Sequence, residues 1–278
     1  MFGSCLGRRE ITALMMEHPQ AQRRLSPRMR YLVGRWATAY VKLFGYPLSV
    51  GNRQRTRAVM RLLSPRPGER VLDVGCGIGY YVFELATRHG CEAYGVDLDA
   101  HDVALARRIA EALPAPGAHF AVGDGRALEY PANSFDAVLL CEVIEHVRED
   151  VALLRELYRV LVPGGRLAIT TPRCNEVVEY DQPKMTLEFP GLCSKQTAEE
   201  GEREASGHVR NGYTVDVLEE RLSRAGFQLH SSTTILKKFS TLGGRWGMFG
   251  FPFGYALSML DAFVIGPGGS LVALAVRH

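Results

Sequence analysis

The chain has 278 residues, 46% of them hydrophobic and 23% charged, proportions that exclude wholesale disorder, a collagen helix and a coiled coil and allow a full core. The net charge of +3 hides an asymmetry: residues 1–70 carry 14 Lys and Arg against 3 Asp and Glu, so the rest of the chain is net acidic. Six cysteines, none in a CxxC pair, read as reduced thiols of a cytoplasmic protein rather than a disulfide framework or a cysteine-ligated zinc site.

The first ten residues lack the apolar core of a signal peptide and do not fit the myristoylation pattern. No uncharged run is longer than Trp246 to Leu260, which is too short for a membrane span and is broken by glycines and Pro252.

Residues 10–62 show helical spacing of apolar residues among arginines, interrupted at Pro19, Pro27 and Pro47, and predict two or three helices. After the turn SPRPGER, the run Val71 to Gly75 predicts a buried parallel strand feeding a helix. Strand and helix patterns then alternate. Helices are expected over Tyr80–Arg88, Ala100–Leu113 and Val151–Leu161, and strands over Glu92–Asp97, His119–Val122, Phe135–Cys141 and Arg166–Thr170. Repeated βα units predict a doubly wound α/β sheet. Residues 173–212 are polar and aperiodic, as a lid or binding loop would be. A helix over Val215–Ala225, a strand over Phe227–Lys237 and a last strand over Gly269–Val276 follow, with a Gly- and aromatic-rich insertion at about 240–268. The organisation expected is an N-terminal helical cap, 1–62, and one α/β domain, 63–278, carrying both insertions.

The strongest chemical signal is DVGCGIG, Asp73 to Gly79, between a strand and a helix. Alternate glycines let the backbone approach a ligand closely and adopt torsions closed to other residues. Asp97 ends the next strand 22 positions after Gly75, where a carboxylate can accept hydrogen bonds from a ribose diol. Tyr80 occupies the third glycine position of the dinucleotide fingerprint, which disfavours a pyrophosphate. In CEVIEHV, Glu142, Glu145 and His146 have the i, i+3, i+4 spacing of one helical face and would gather two carboxylates and an imidazole just after a strand. That set suits a divalent cation, magnesium by its oxygens or zinc by its imidazole; a direct acid/base role and a structural role remain alternatives. His101 and His119 read as surface or packing histidines, and Tyr180, Tyr213 and Tyr255 as candidates for an acceptor pocket wall.

Taken together, these motifs resemble the class I S-adenosylmethionine (SAM)-dependent methyltransferases over roughly residues 56–240. Their D/E-x-G-x-G-x-G loop matches Asp73, Gly75, Gly77 and Gly79, their ribose acid matches Asp97, and their acid near the adenine matches Asp124 in VGDGRAL. SFDAVLLCEVIEHV, LYRVLVPGGRLAIT and GYTVDVLEERLSRAGF continue the likeness. The resemblance implies a seven-stranded sheet with an antiparallel last strand, SAM over the strand ends, and Cys76, Leu98, Gly125 and Cys141 beside the cofactor. The E-x-x-E-H motif is similar to that of metal-binding ubiquinone-pathway methyltransferases and small-RNA 2′-O-methyltransferases, whose second downstream histidine corresponds to His208.

The function expected is methyl transfer to a hydroxyl oxygen of a hydrophobic, aromatic or lipid-like small molecule. The alternatives are C- or N-methylation, RNA 2′-O-methylation, or SAM binding without catalysis. The aromatic insertion suits an apolar acceptor, a peripheral membrane contact or a homodimer surface, with packing as the plain alternative. The basic start suits a solvated face, an anionic substrate or head group, or nucleic acid, the last disfavoured because no aromatic stacking platform is interleaved with it.

Overall fold

The computed structural model describes residues 50–112, 115–184, 207–235 and 268–278. The helices expected before residue 50, the aromatic insertion up to residue 267 and Tyr255 within it lie outside the described residues.

Helix α1 (Val50–Leu63) buries Thr56, Val59, Met60 and Leu63, the i, i+3, i+4, i+7 stripe of an amphipathic helix. Then follow β1 (Arg70–Val74), α2 (Tyr80–Glu84), β2 (Glu92–Asp97), α3 (Ala100–Ala112), β3 (Ala118–Val122) and β4 (Phe135–Cys141). A 3-10 turn over Ile144–His146 leads to α4 (Asp150–Val160) and β5 (Leu161–Pro172). Strands β6 (Glu179–Lys184) and β7 (His208–Arg210), helix α5 (Val215–Ala225), β8 (Phe227–Ile235) and β9 (Ser270–Arg277) follow among the described residues.

Seven strands form one sheet in the order β3-β2-β1-β4-β5-β9-β8. Neighbours from β3 to β5 pair in parallel, and β9 runs antiparallel between β5 and β8. This is the doubly wound sheet with an antiparallel last strand that the resemblance implied. Alternation along the central strands sends Leu72, Val138 and Leu140 towards α4 and α5, and Val71, Ala137 and Leu139 towards α1 and α2. Both faces are therefore buried, which explains why β1 and β4 are mostly apolar, interrupted only by Asp73 and Asp136 after the leading Arg70. Helix α5 starts at Thr214, whose Oγ1 accepts from Val217 N at 3.2 Å, and stops at the left-handed Gly226.

Two expectations are corrected. The helix expected over Tyr80–Arg88 is α-helical only to Glu84 and widens into a π turn over Leu85–His89, closed by Gly90 at φ 67°. The 173–212 segment is not wholly irregular, because β6 and β7 pair antiparallel at its two ends. Among the described residues no helix is long and apolar enough to cross a membrane.

Candidate active site

The strand order reverses between β1 and β4, so a crevice opens outside the carboxyl ends of these parallel strands. The glycine loop, Asp97 and Leu98, and the E-x-x-E-H segment sit at or just beyond the carboxyl ends of β1, β2 and β4 on that edge. Gly75, Gly77 and Gly79 have φ of 75°, 49° and 84°, and the loop is pinned to β2 by Gly75 N and Cys76 N donating to Val96 O. A Cβ on Gly79 would lie 2.5 Å from the Phe120 ring, and one on Gly75 would collide with Val143.

Asp97 links the loop to β2. Its Oδ2 accepts from Gly77 N at 2.7 Å and its Oδ1 from Asp99 N at 2.9 Å, so each oxygen keeps one lone pair for a ligand. Leu98 and Val122, at the ends of β2 and β3, are 54% and 50% exposed and form an apolar ledge beside it. Asp124 is gripped by Arg126, whose guanidinium donates to both its oxygens; that hydrogen bonding holds the Asp124 carboxyl below its ordinary range.

Two residues assigned to the cofactor have packing reasons for their identity. The Cys76 side chain is buried against Gly95 and Val82, leaving only its backbone towards the crevice. Gly125 packs between Val74 and Leu153, where a Cβ would lie 2.5 Å from Val74 Cγ1.

Asp73 faces the α1–α2 side of β1. It is buried, and neither carboxylate oxygen has a hydrogen-bond partner. Burial, and then the nearby Asp97 charge, push its pKa up to about 8. Cys141, at the end of β4, bonds Tyr81, and burial raises its thiol pKa far above the ordinary range.

The E-x-x-E-H segment departs from the helical reading. Glu142 takes the left-handed conformation at φ 57°, an unusual state for a side chain with a Cβ, and only Ile144–His146 coil into a single 3-10 turn. Glu142 consequently turns to α1, where its Oε2 accepts from Arg55 Nη2 at 3.0 Å. Its Oε1 is buried without a partner. Glu145 is 1% exposed and its Oε2 accepts from Thr171 Oγ1 at 3.0 Å. Burial, and then Glu142, raise its pKa well above the carboxylate range.

Glu145, His146 and His208 come together, each offering a ligating atom within 4.8 Å of the others. The two imidazoles meet edge to face with centroids 4.6 Å apart. Thus His208 joins the group and Glu142 leaves it. One carboxylate and two imidazoles fit a divalent cation of the zinc type better than magnesium, which prefers oxygen ligands.

Of the remaining residues, His119 stacks on Tyr94 and bonds Glu92. Tyr213 is wholly buried, its hydroxyl bonding Asp150 Oδ2 at 2.8 Å, so it is no pocket wall. Tyr180 meets Arg148 through its carbonyl. Arg55, Arg210 and Thr171 were not singled out from sequence. Their only signals there were a buried helical position, a place two residues after His208, and a place one strand away from Glu145.

Residues 72–169 match the methyltransferase domain family. The chain carries a class I SAM-dependent methyltransferase domain. SAM is the cofactor of that domain, and its sheet edge is the crevice described above. The chain is 36% identical to phosphoethanolamine N-methyltransferase 3 of Arabidopsis thaliana over 47% of its length and 27% of that relative's. It is 35% identical to an O-methyltransferase of Pyrenophora dematioidea over 44% of its length and 46% of that relative's. Both matches span less than half of the relative. Phosphoethanolamine N-methyltransferase 2 of Haemonchus contortus, solved in complex with SAM, shares the fold: TM-score 0.55, 22% identity, covering 86% of this chain and 56% of that one.

Proposed function

We propose that the chain transfers the SAM methyl group to a hydroxyl oxygen of a small, apolar or aromatic acceptor, with Glu145, His146 and His208 holding a divalent cation beside it. The observation that carries this reading is the convergence of those three ligating groups within 4.8 Å at the carboxyl ends of β4 and β5. When bound, such a cation lowers the pKa of an acceptor hydroxyl. The chain's own contribution is alignment for in-line displacement. In this reading Gly75, Gly77 and Gly79 admit the cofactor backbone, Asp97 accepts from its ribose, and Leu98 and Val122 flank its adenine. The orphaned Asp73 carboxylate suits a cationic group of the cofactor. The aromatic insertion supports an apolar acceptor and, with the basic start, a peripheral membrane contact or a self-associating face.

A second reading, methyl transfer to nitrogen, has the support of the phosphoethanolamine N-methyltransferase relatives. In that case His146 or His208 would take the proton released by the amine.

The test is methyl transfer from isotopically labelled SAM to panels of catechols, phenols, lipid-like alcohols and amines, before and after verified metal removal. The first reading expects hydroxyl acceptors to lose at least tenfold in kcat on chelation and to recover with Zn2+ or Mn2+. Undiminished turnover of a metal-free protein, or methylation confined to amines, would overturn it.

A further inference from the structure

The geometry points to Arg210 as the positioning residue that assembles the Glu145–His146–His208 cluster. His208 and Arg210 lie two apart on β7 and so project to the same side of it, towards the 3-10 turn. Arg210 is 1% exposed. Its Nη1 donates to Ile144 O and Val147 O, both at 2.8 Å, and its Nη2 to Arg148 O at 3.2 Å. These three carbonyls bracket Glu145 and His146. A single side chain from the strand that carries the third member therefore grips the turn that carries the first two.

The turn needs such a grip. Its internal backbone bonds, His146 N to Val143 O and Val147 N to Ile144 O, are two short-range contacts, and Glu142 before it holds a left-handed torsion. Arg210 adds a donor to Ile144 O, which already accepts from Val147 N, and supplies one to Val147 O. A guanidinium supplies five N–H groups in a fixed plane, so three carbonyls meeting it fix both distance and orientation; an ammonium at the same place would act as a point charge.

The clamp is braced from behind. The Tyr213 hydroxyl lies 2.7 Å from Arg210 Nη1, sharing its two hydrogens with the Ile144 and Val147 carbonyls, and itself donates to Asp150 Oδ2 at the start of α4. Glu179 and Asp150, 3.2 and 3.6 Å away, balance the buried charge. Holding the turn and β7 together sets the separation of the two imidazoles.

The inference rests on the reading that the three groups act together, and its test has an arm independent of any metal. In full-length protein labelled at histidine, the cross-relaxation signal between the His146 and His208 rings is compared in wild type, Arg210→Lys and Arg210→Gln, alongside S-adenosylhomocysteine affinity and Co2+ uptake followed by its visible absorption. Arg210→Gln is expected to keep S-adenosylhomocysteine affinity within twofold, lose the ring-to-ring signal and bind Co2+ at least tenfold more weakly, with Arg210→Lys intermediate. A ring-to-ring signal undiminished in Arg210→Gln overturns the positioning role, whatever happens to Co2+. If the wild type shows the signal but takes up no Co2+, the divalent-cation reading falls and the signal alone decides the role of Arg210. Should Arg210→Gln fail to fold, Arg210→Lys is judged by the same signal.

Discussion

Arg55 on α1 donates from Nη2 to Glu142 Oε2 at 3.0 Å, across 87 positions of sequence, and so fastens α1 to the left-handed corner after β4. Both partners are shielded, with side-chain exposures of 9% and 25%. The pair supplies Glu142 with a counter-charge from the protein itself, and Glu142 is not one of the three groups that converge at the imidazoles.

Removing one partner of a shielded pair leaves the other charged and desolvated. Arg55→Ala is expected to lower unfolding stability by about 2 kcal/mol, less than a fully enclosed pair because Glu142 partly reaches solvent. Glu142→Gln, whose amide oxygen still accepts from Arg55, should cost about half as much. Urea unfolding measures both, and an Arg55→Ala midpoint equal to wild type would show that the pair contributes nothing.

Two glycines with the same torsional sign separate backbone strain from crowding. Gly68 has φ 81° and open space around a notional Cβ, whereas Gly79 has φ 84° and the Phe120 ring 2.5 Å away. Gly68→Ala should cost about 1 kcal/mol with unchanged SAM affinity. Gly79→Ala should cost at least about 2 kcal/mol more and weaken SAM binding by tenfold or greater. Equal losses in thermal denaturation would refute the steric part.

Asp73 gives the cofactor-free protein a definite pH dependence. Its folded pKa, about 8, lies above the ordinary 3.8. Below pH 3.8 the carboxyl is protonated in both folded and unfolded chains. As pH rises towards 8 only the unfolded chain gives up the proton, so folded stability falls by about 1.4 kcal/mol per pH unit from this group and levels off above. Asp73→Asn should flatten that part of the curve. Under the cofactor placement proposed above, SAM binding near pH 7 should also release a proton, which calorimetry in buffers of different ionisation enthalpy detects; no release in wild type would separate Asp73 from the bound cation.

Asp97 spends one lone pair of each oxygen on the backbone amides of Gly77 and Asp99. Asp97→Ala therefore loosens the glycine loop as well as removing an acceptor. The expected result is at least a thirtyfold rise in the KM for SAM with kcat at saturation changed less than threefold; an equal fall in kcat would place Asp97 nearer the reacting atoms than its geometry does.

Most of the architecture is written locally. The bounds of β2, β4 and α5 coincide with the sequence reading because their apolar patterns end at polar or glycine positions, and Gly226 marks its helix end directly. The glycine loop and Asp97 were legible for the same reason. The E-x-x-E-H segment was not: a left-handed glutamate has no sequence mark, and the i, i+3, i+4 spacing that suggests a helix also arises in an extended corner followed by one 3-10 turn. Arg55 and Arg210 were hidden among many arginines, since what distinguishes them is burial against distant carbonyls and a carboxylate. Cys76 and Gly125 show the converse, where membership of a motif reflects packing under the loop.

The position of β9 has a consequence for how this chain is made. Ser270–Arg277 lies between β5 and β8, and every neighbour it joins has already been synthesised. Until those residues emerge from the ribosome, the Leu161–Pro172 and Phe227–Ile235 strands each expose an unpaired backbone edge. Completion of the sheet is thus a late, non-local event in biogenesis, and a nascent chain stalled before residue 270 is a natural client for chaperones.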